Sequence, residues 1–338
     1  MGDAMITYRS LTATALSAIL AAGTFSQQVW SAALPIDALA NTVWVEEFDA
    51  SPDAQMIAYK SAKAGTYDIW TAPVGGGAAK QITSMPGREM NPVFSPDGKW
   101  IAFEADYRGV NVRDIYIVPA DGGKAIRLTD HPLNDSTPMW APDSKTLYFV
   151  TNMFWSTSIA AIDIASHEIT RVGPGGGMAS LSPDGQTFVF TRNGKPDDDD
   201  QSNNDIYTLP LSGGEPTLLT PDTFNSLDAA PNWAPDSKRI AFISDRNGFN
   251  NLGVIDTTTG AATMLLTENI EHSEPRWSPD GKWISFTKNL DYQYHIFRIP
   301  SGGGRAAQLT KRGGVNGGSS ATGQTRGNHL WSKSGEQI

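Results

Sequence analysis

Apolar residues in this chain come in short runs cut by polar turns, and no helical period of useful length appears after residue 40. Trp100-Ile101-Ala102-Phe103, Thr146-Leu147-Tyr148-Phe149, Arg239-Ile240-Ala241-Phe242 and Trp283-Ile284-Ser285-Phe286 are such runs. Each follows a Ser/Ala-Pro-Asp phrase that recurs six times: Ser51-Pro52-Asp53, Ser95-Pro96-Asp97, Ala141-Pro142-Asp143, Ser182-Pro183-Asp184, Ala234-Pro235-Asp236 and Ser278-Pro279-Asp280. The Asp-to-Asp spacings are 44, 46, 41, 52 and 44 residues. A near-constant period of this size marks a repeat architecture.

Each repeat divides into four pieces. A segment ending in an aromatic precedes the turn, as in Pro92-Val93-Phe94 and Pro275-Arg276-Trp277. The apolar run follows it. A third piece reads Asp68-Ile69-Trp70, Asp114-Ile115-Tyr116, Asp205-Ile206-Tyr207 or His295-Ile296-Phe297. A glycine pair such as Gly122-Gly123 leads to a fourth piece, which closes on Leu128-Thr129, Leu219-Thr220, Leu266-Thr267 or Leu309-Thr310. Proline fixes φ and aspartate caps through its side chain, so the Pro-Asp phrase is a tight reversal. The glycines supply positive φ at the next reversal. Four short strands make one antiparallel sheet that cannot cover both its faces. Sheets stacked radially cover each other. The pattern therefore predicts an all-β chain: a β-propeller of four-stranded antiparallel blades, with six complete blades over residues 34–310.

These residues resemble the TolB-type propeller repeat, over residues 44 to 310. The Gly-His and Trp-Asp signature of the WD repeat is missing. Such repeats also form the propeller of prolyl-oligopeptidase-type serine peptidases. TolB-like proteins carry an α/β domain ahead of the propeller. About ten residues separate the leader described below from the first repeat here, so the expectation is a protein other than TolB proper, to which TolB's partners transfer poorly.

The C-terminal segment 311–338 is rich in glycine and serine and ends in a partial seventh repeat. His329-Leu330-Trp331-Ser332 through Gly335 to Ile338 aligns with Pro275-Arg276-Trp277-Ser278 through Gly281 to Ile284. Two readings follow: a degenerate piece packed on a six-bladed ring, or the start of a seventh blade in a longer peptidase. The stretch from Gly313 to Gly318 with this Trp-Ser segment resembles the last blade of prolyl-oligopeptidase-type peptidases, after which a hydrolase domain follows.

Residues 1–33 read as a secretory signal. Arg9 is followed by a moderately apolar run from Leu11 to Ala22, and Ser31-Ala32-Ala33 supplies the small residues a signal peptidase needs. Met5 is an alternative start. The run is too short to span a membrane. The expectation is an exported, periplasmic or secreted monomer with no membrane insertion. Of the 338 residues, 39% are hydrophobic and 18% charged, and the net charge is −10. That balance argues against nucleic-acid binding, which needs a basic face. Cysteine is absent, which removes disulfides and thiol chemistry.

Catalytic patterns are missing. Gly317-Gly318-Ser319-Ser320-Ala321 fails the nucleophile-elbow pattern at its last position. His131, His167, His272, His295 and His329 show no metalloprotease spacing. No cofactor is expected. Asp197-Asp198-Asp199-Asp200 reads as a solvated acidic loop, with weak calcium binding as the alternative. The six repeated turn aspartates belong to the turn. Residues that differ between repeats, where the chain enters the innermost strand, are better candidates for ligand contact: Glu46, Glu47, Arg88, Glu89, Asn91, Asp135, Asp228, His272, Glu274 and Asn316. They predict an electronegative channel mouth suited to a protein or peptide partner. The functional expectation is a non-catalytic binding scaffold. The alternative is the propeller of a prolyl-oligopeptidase-type peptidase without its hydrolase domain.

Overall fold

A computed structural model describes residues 45–106, 112–154, 156–193, 204–221, 226–291, 293–311, 329–332, 335 and 338. Residues 1–33, the Asp197–Asp200 loop and Asn316 lie outside the described residues.

Among the described residues, twenty-four strands build six four-stranded sheets, each in sequential order and antiparallel throughout. Blade 1 comprises β1 (Val45–Ala50), β2 (Met56–Ser61), β3 (Asp68–Pro73) and β4 (Lys80–Gln81). Blade 2 comprises β5 (Glu89–Phe94), β6 (Trp100–Ala105), β7 (Asp114–Pro119) and β8 (Ile126–Arg127). Blade 3 holds β9 (Asp135–Trp140), β10 (Thr146–Thr151), β11 (Ser158–Asp163) and β12 (Ile169–Pro174). Blade 4 holds β13 (Gly177–Leu181), β14 (Thr187–Asn193), β15 (Asn204–Pro210) and β16 (Thr217–Leu218). Blade 5 has β17 (Asp228–Trp233), β18 (Arg239–Ser244), β19 (Asn251–Asp256) and β20 (Ala262–Met264). Blade 6 has β21 (His272–Trp277), β22 (Trp283–Leu290), β23 (Gln293–Pro300) and β24 (Ala307–Gln308). The described residues contain no helix, so none is long and apolar enough to cross a membrane. The six blades ring a common axis, and the chain is the expected six-bladed β-propeller.

The Pro-Asp turns do what their residues dictate. Ser95 Oγ donates to Asp97 Oδ1 at 2.6 Å, Asp97 Oδ1 accepts from Lys99 N at 3.1 Å, and Trp100 N donates to Ser95 Oγ at 3.0 Å. The same set closes the turns at Ser51, Ser182 and Ser278. Where alanine replaces serine, the aspartate accepts from both following amides: Asp143 Oδ1 from Lys145 N at 2.8 Å and from Thr146 N at 3.0 Å. Adjacent turns are also tied, through Asp97 N to Ser144 Oγ and Asp184 N to Ser237 Oγ, both 3.0 Å.

Burial follows the junctions between blades. On the second strand of blades 2 to 6 a pair of large residues, two apart, is wholly buried: Ile101 and Phe103, Leu147 and Phe149, Phe188 and Phe190, Ile240 and Phe242, Ile284 and Phe286. Each pair packs on the preceding blade. Ile101 and Phe103 meet Ala58, Ile69 and Ile82 of blade 1, and Leu147 and Phe149 meet Ile115, Ile117 and Leu128 of blade 2. Burying one such side chain contributes about 1.5–3 kcal/mol, so the junctions carry the fold. Tryptophan closes some of them from the first strand. Trp140 Nε1 donates to Val93 O and Trp277 Nε1 to Asn232 O, each at 3.1 Å.

The partial seventh repeat docks in the same way. Trp331 Nε1 donates to Arg276 O at 3.1 Å, and Gly335 N donates to Ser332 O at 2.8 Å, as Gly281 N does to Ser278 O.

Candidate functional site

The first strand of every blade is an inner edge strand, which is why it tolerates proline at Pro92, Pro138, Pro231 and Pro275. Each of these strands carries a bulge, seen as a register shift against the second strand. One non-glycine residue in each bulge has positive φ: Glu47 (49°), Asn91 (52°), Thr137 (56°), Met178 (49°), Ala230 (51°) and Glu274 (55°). Such a conformation costs about 1–3 kcal/mol per residue and persists only where the surroundings hold it. Six equivalent bulges thus face the axis.

They surround a cavity of about 710 Å³ lined by the first strands of all six blades, with Leu330 of the tail beside them. The walls differ. Across blades 1 to 3 the bulges are tied by carboxylates. Lys60 Nζ pairs with Glu47 Oε1 at 2.7 Å, and Glu47 Oε2 accepts from Asn91 N at 2.9 Å. Glu104 Oε1 accepts from Asn91 Nδ2 at 2.7 Å and from Thr137 N at 2.8 Å, while Glu104 Oε2 meets Arg113 Nη1 at 2.9 Å. Burial pushes the Glu104 carboxyl up, and Arg113 opposes the shift. Across blades 4 to 6 the wall includes Met178, Leu181, Ala229, Ala230 and Arg276. There the amide of Ala230 donates to Met178 Sδ, at 3.1 Å.

Of the ten residues singled out from the sequence, Asn91, His272 and Glu274 line this cavity. Glu47 stands behind it through the bond to Asn91. Glu46 lies on β1, and Arg88 pairs with Asp106 at 2.7 Å, half exposed. Glu89, Asp135 and Asp228 are wholly buried and serve a different purpose. Each starts a first strand and clasps the end of the preceding blade. Glu89 accepts from the Thr83 hydroxyl, from Met85 N at 2.8 Å and from Ile69 N at 3.2 Å. Asp135 meets His131 at 2.9 Å and bonds Thr129 and Thr151. Asp228 takes Arg246 Nη2 at 3.0 Å with Thr220 and Ser244. Burial drives the Glu89 carboxyl up to about 7, against those three hydrogen bonds, with the charge of Asp68 adding to the rise. Burial also raises Asp135 and Asp228. With these acids drawn into clasps, the cavity wall is mixed rather than acidic.

In blade 6 histidine takes the clasp position. His272 Nδ1 donates to Asn250 O at 2.9 Å, and its Nε2 lies 3.3 Å from Glu268 Oε2. Burial holds the imidazole below its ordinary value, and Glu268 opposes the shift.

Sequence reasoning missed Glu104, Thr137, Met178 and Arg276. For Glu104 a signal existed: it is an acid closing the apolar run Trp100-Ile101-Ala102-Phe103. Among the described residues no group of three or more His, Asp or Glu side chains converges as a metal set.

Two family models match. Residues 64–198 match the Tricorn protease N-terminal beta propeller domain, and residues 200–337 match the TolB beta propeller domain. Among solved structures, TolB from Acinetobacter baumannii is similar at 21% identity and a TM-score of 0.54, over 82% of this chain and 67% of that one. A structure from work on two prolyl endopeptidases is similar at 16% identity and a TM-score of 0.60, over 80% of this chain and 43% of that one. Oligogalacturonate lyase from Vibrio parahaemolyticus is similar at 13% identity and a TM-score of 0.62, over 80% of this chain and 79% of that one. No curated protein matches this chain. Repeats, blades and the two adjoining matches agree on the fold: the chain is a six-bladed β-propeller whose repeats match the Tricorn protease N-terminal beta propeller domain in one half and the TolB beta propeller domain in the other, similar in fold to the prolyl endopeptidase structure.

Proposed function

We propose that this protein is an exported, non-catalytic scaffold that binds a protein or peptide segment in its central cavity. The observation that carries the reading is the cavity of about 710 Å³ lined from all six blades. Its size falls in the range of binding sites that enclose a ligand. The mixture of Met139, Met178 and Phe48 with Asn91, Glu274 and Arg276 suits a peptide bearing apolar and charged side chains. Export is supported by the pattern of residues 1–33, and the reading takes the mature chain to act as a monomer in the periplasm or outside the cell.

Titration calorimetry against a soluble library of defined peptides tests it. We expect micromolar binding that falls at least tenfold in Ala229→Trp, which fills the cavity from blade 5. Equal affinity of the two proteins overturns the cavity as the site. Turnover of a peptide by the purified chain overturns the non-catalytic role.

A second reading is supported by the likeness to prolyl endopeptidases: this chain as the propeller module of a serine peptidase. Reading the gene past the codon for Ile338 separates the two. An open frame encoding Gly-x-Ser-x-Gly favours the peptidase, and a stop codon favours the scaffold.

A further inference from the structure

The central cavity does not have the same depth all round. In every blade the residue before the bulge faces a second-strand partner across the ladder, as Met90 faces Glu104 in blade 2 and Ala229 faces Ile243 in blade 5. Among the described residues, Ala229 with Ile243 is the one such pair of which both members line the cavity, and Ser273 joins them from blade 6. One residue earlier stand the clasps. His272 lines the cavity, whereas Glu89, Asp135 and Asp228 do not. The cavity therefore extends past the bulges between blades 5 and 6, as a recess.

The cause is the small, uncharged chemistry of blade 5. Across blades 1 to 3, Glu47 and Glu104 reach over to the next bulge and fill this level. Between blades 3 and 4 the chain itself closes in, since a Cβ on Gly175 would lie 2.8 Å from the Ser158 carbonyl carbon. Between blades 4 and 5, Met178 spans to Ala230. Between blades 5 and 6 the corresponding residues are Ala230 and Ile243. A methyl group does not reach the next blade, and Ile243 carries no acceptor where blade 2 has the Glu104 carboxylate. Leu227, Ala229 and Ala230 are half-buried walls of the recess. Ile243 and His272, 5% and 2% exposed, form its deeper end. The His272 ring is fixed there by the bond from Nδ1 to Asn250 O at 2.9 Å and by Phe286, whose ring centre lies 5.4 Å away.

We propose that this recess is the specificity pocket of the cavity and takes a large apolar side chain of a bound peptide. Such a pocket presupposes that the cavity is a peptide site, and it adds which residue is selected. Leu227, Ala229, Ala230 and Ile243 offer apolar contact and no side-chain hydrogen bond. A charged side chain would lose its hydration among them without return. An apolar one gains by leaving water. Elsewhere round the ring the same level is filled by the protein's own side chains or backbone, so blades 5 and 6 alone select the residue.

The full chain labelled with carbon-13 histidine reports on the pocket directly, because five histidines give a simple NMR spectrum. Loss of one resonance in His272→Gln assigns the recess. The probe is N-acetyl-phenylalanine amide, with the capped aspartate and lysine compounds beside it. We expect the phenylalanine compound to shift the His272 resonance saturably, and the charged compounds to bind at least tenfold more weakly. Ala229→Met puts into blade 5 the residue that blade 2 carries at Met90, and should weaken the probe at least tenfold by filling the recess. Leu227→Ala removes a wall instead and should weaken it severalfold. An unchanged thermal melt shows that each variant folds. Absence of any shift, an equal response to the charged compounds, or an undiminished shift in Ala229→Met overturns the proposal. Calorimetry with peptides separates its failure from that of the peptide site. Peptides that bind, lose affinity in Ala229→Trp and show no preference for an apolar residue retain the cavity and remove the recess. Absence of any peptide binding removes both.

Discussion

The two halves of the cavity wall solve one problem with different chemistry. Every first strand bulges, and every bulge turns a backbone amide out of the ladder. Between blades 1 and 3 those amides are taken by the carboxylates of Glu47 and the buried Glu104, which are in turn held by Lys60 and Arg113. Between blades 4 and 5 the amide of Ala230 goes to a thioether. The first half is a charged network whose members need each other. A buried ion pair is costly to break from one side, because the remaining charge has no partner. At Met178 and Ala230 the contact is uncharged and tolerates change, as methionine does in general.

Breaking the network should have the largest effect. Glu104→Leu takes the carboxylate away from Arg113, the Asn91 side chain and the Thr137 amide together, and should destabilise by about 3–5 kcal/mol in urea unfolding. If the loss is under 1 kcal/mol, the carboxylate is not what holds the first half together.

The tail offers the next largest effect. His329 is wholly enclosed, and burial, with help from Arg276, holds its imidazole down to about 3. A lowered histidine stabilises above its unfolded value of 6.5, and that contribution is lost as pH falls toward 3. The tail should therefore release on acidification from pH 6.5 downward, read as a change in Trp331 emission against Trp331→Phe. His329→Gln should remove the transition, and its persistence in that variant would point to another group.

The Glu89 clasp works in the opposite direction. Its folded value of about 7 lies above the ordinary 4.5, so its stabilisation is full below 4.5 and is lost as pH rises through 7. One group changes the slope of stability by at most about 1.4 kcal/mol per pH unit. Melting temperatures measured from pH 5 to 8 should fall less steeply in Glu89→Gln than in the parent. Parallel slopes would exclude Glu89 as the source.

The smallest effect belongs to the apolar half. Met178→Leu keeps the volume and removes only a weak acceptor, and should cost under about 1.5 kcal/mol. A cost rivalling that of Glu104→Leu would erase the distinction between the halves.

Much of this was legible in the order of residues. The Ser-Pro-Asp phrases announced the turns, and their aspartates hold amides two or three residues away. The glycine pairs behaved likewise, since Gly122 and Gly123 both have positive φ. Candidate site residues were less legible. Glu89, Asp135 and Asp228 sit at the start of the innermost strands, as expected, yet each side chain turns into a junction. The bulge residues carry no glycine to mark their positive φ. His272, a candidate for ligand contact, lines the cavity but is also a buried clasp.

The division follows the range of the interactions. Turns and strand lengths depend on partners a few residues apart, so the amino-acid order alone determined a six-bladed repeat protein. The fate of each carboxylate depends on partners much further off. Glu89 meets Ile69, in the preceding blade, and Glu47 reaches Asn91, in the next. Burial and pairing exist only once the blades have stacked, so tertiary structure alone decided which acids face the cavity and which lock the ring together.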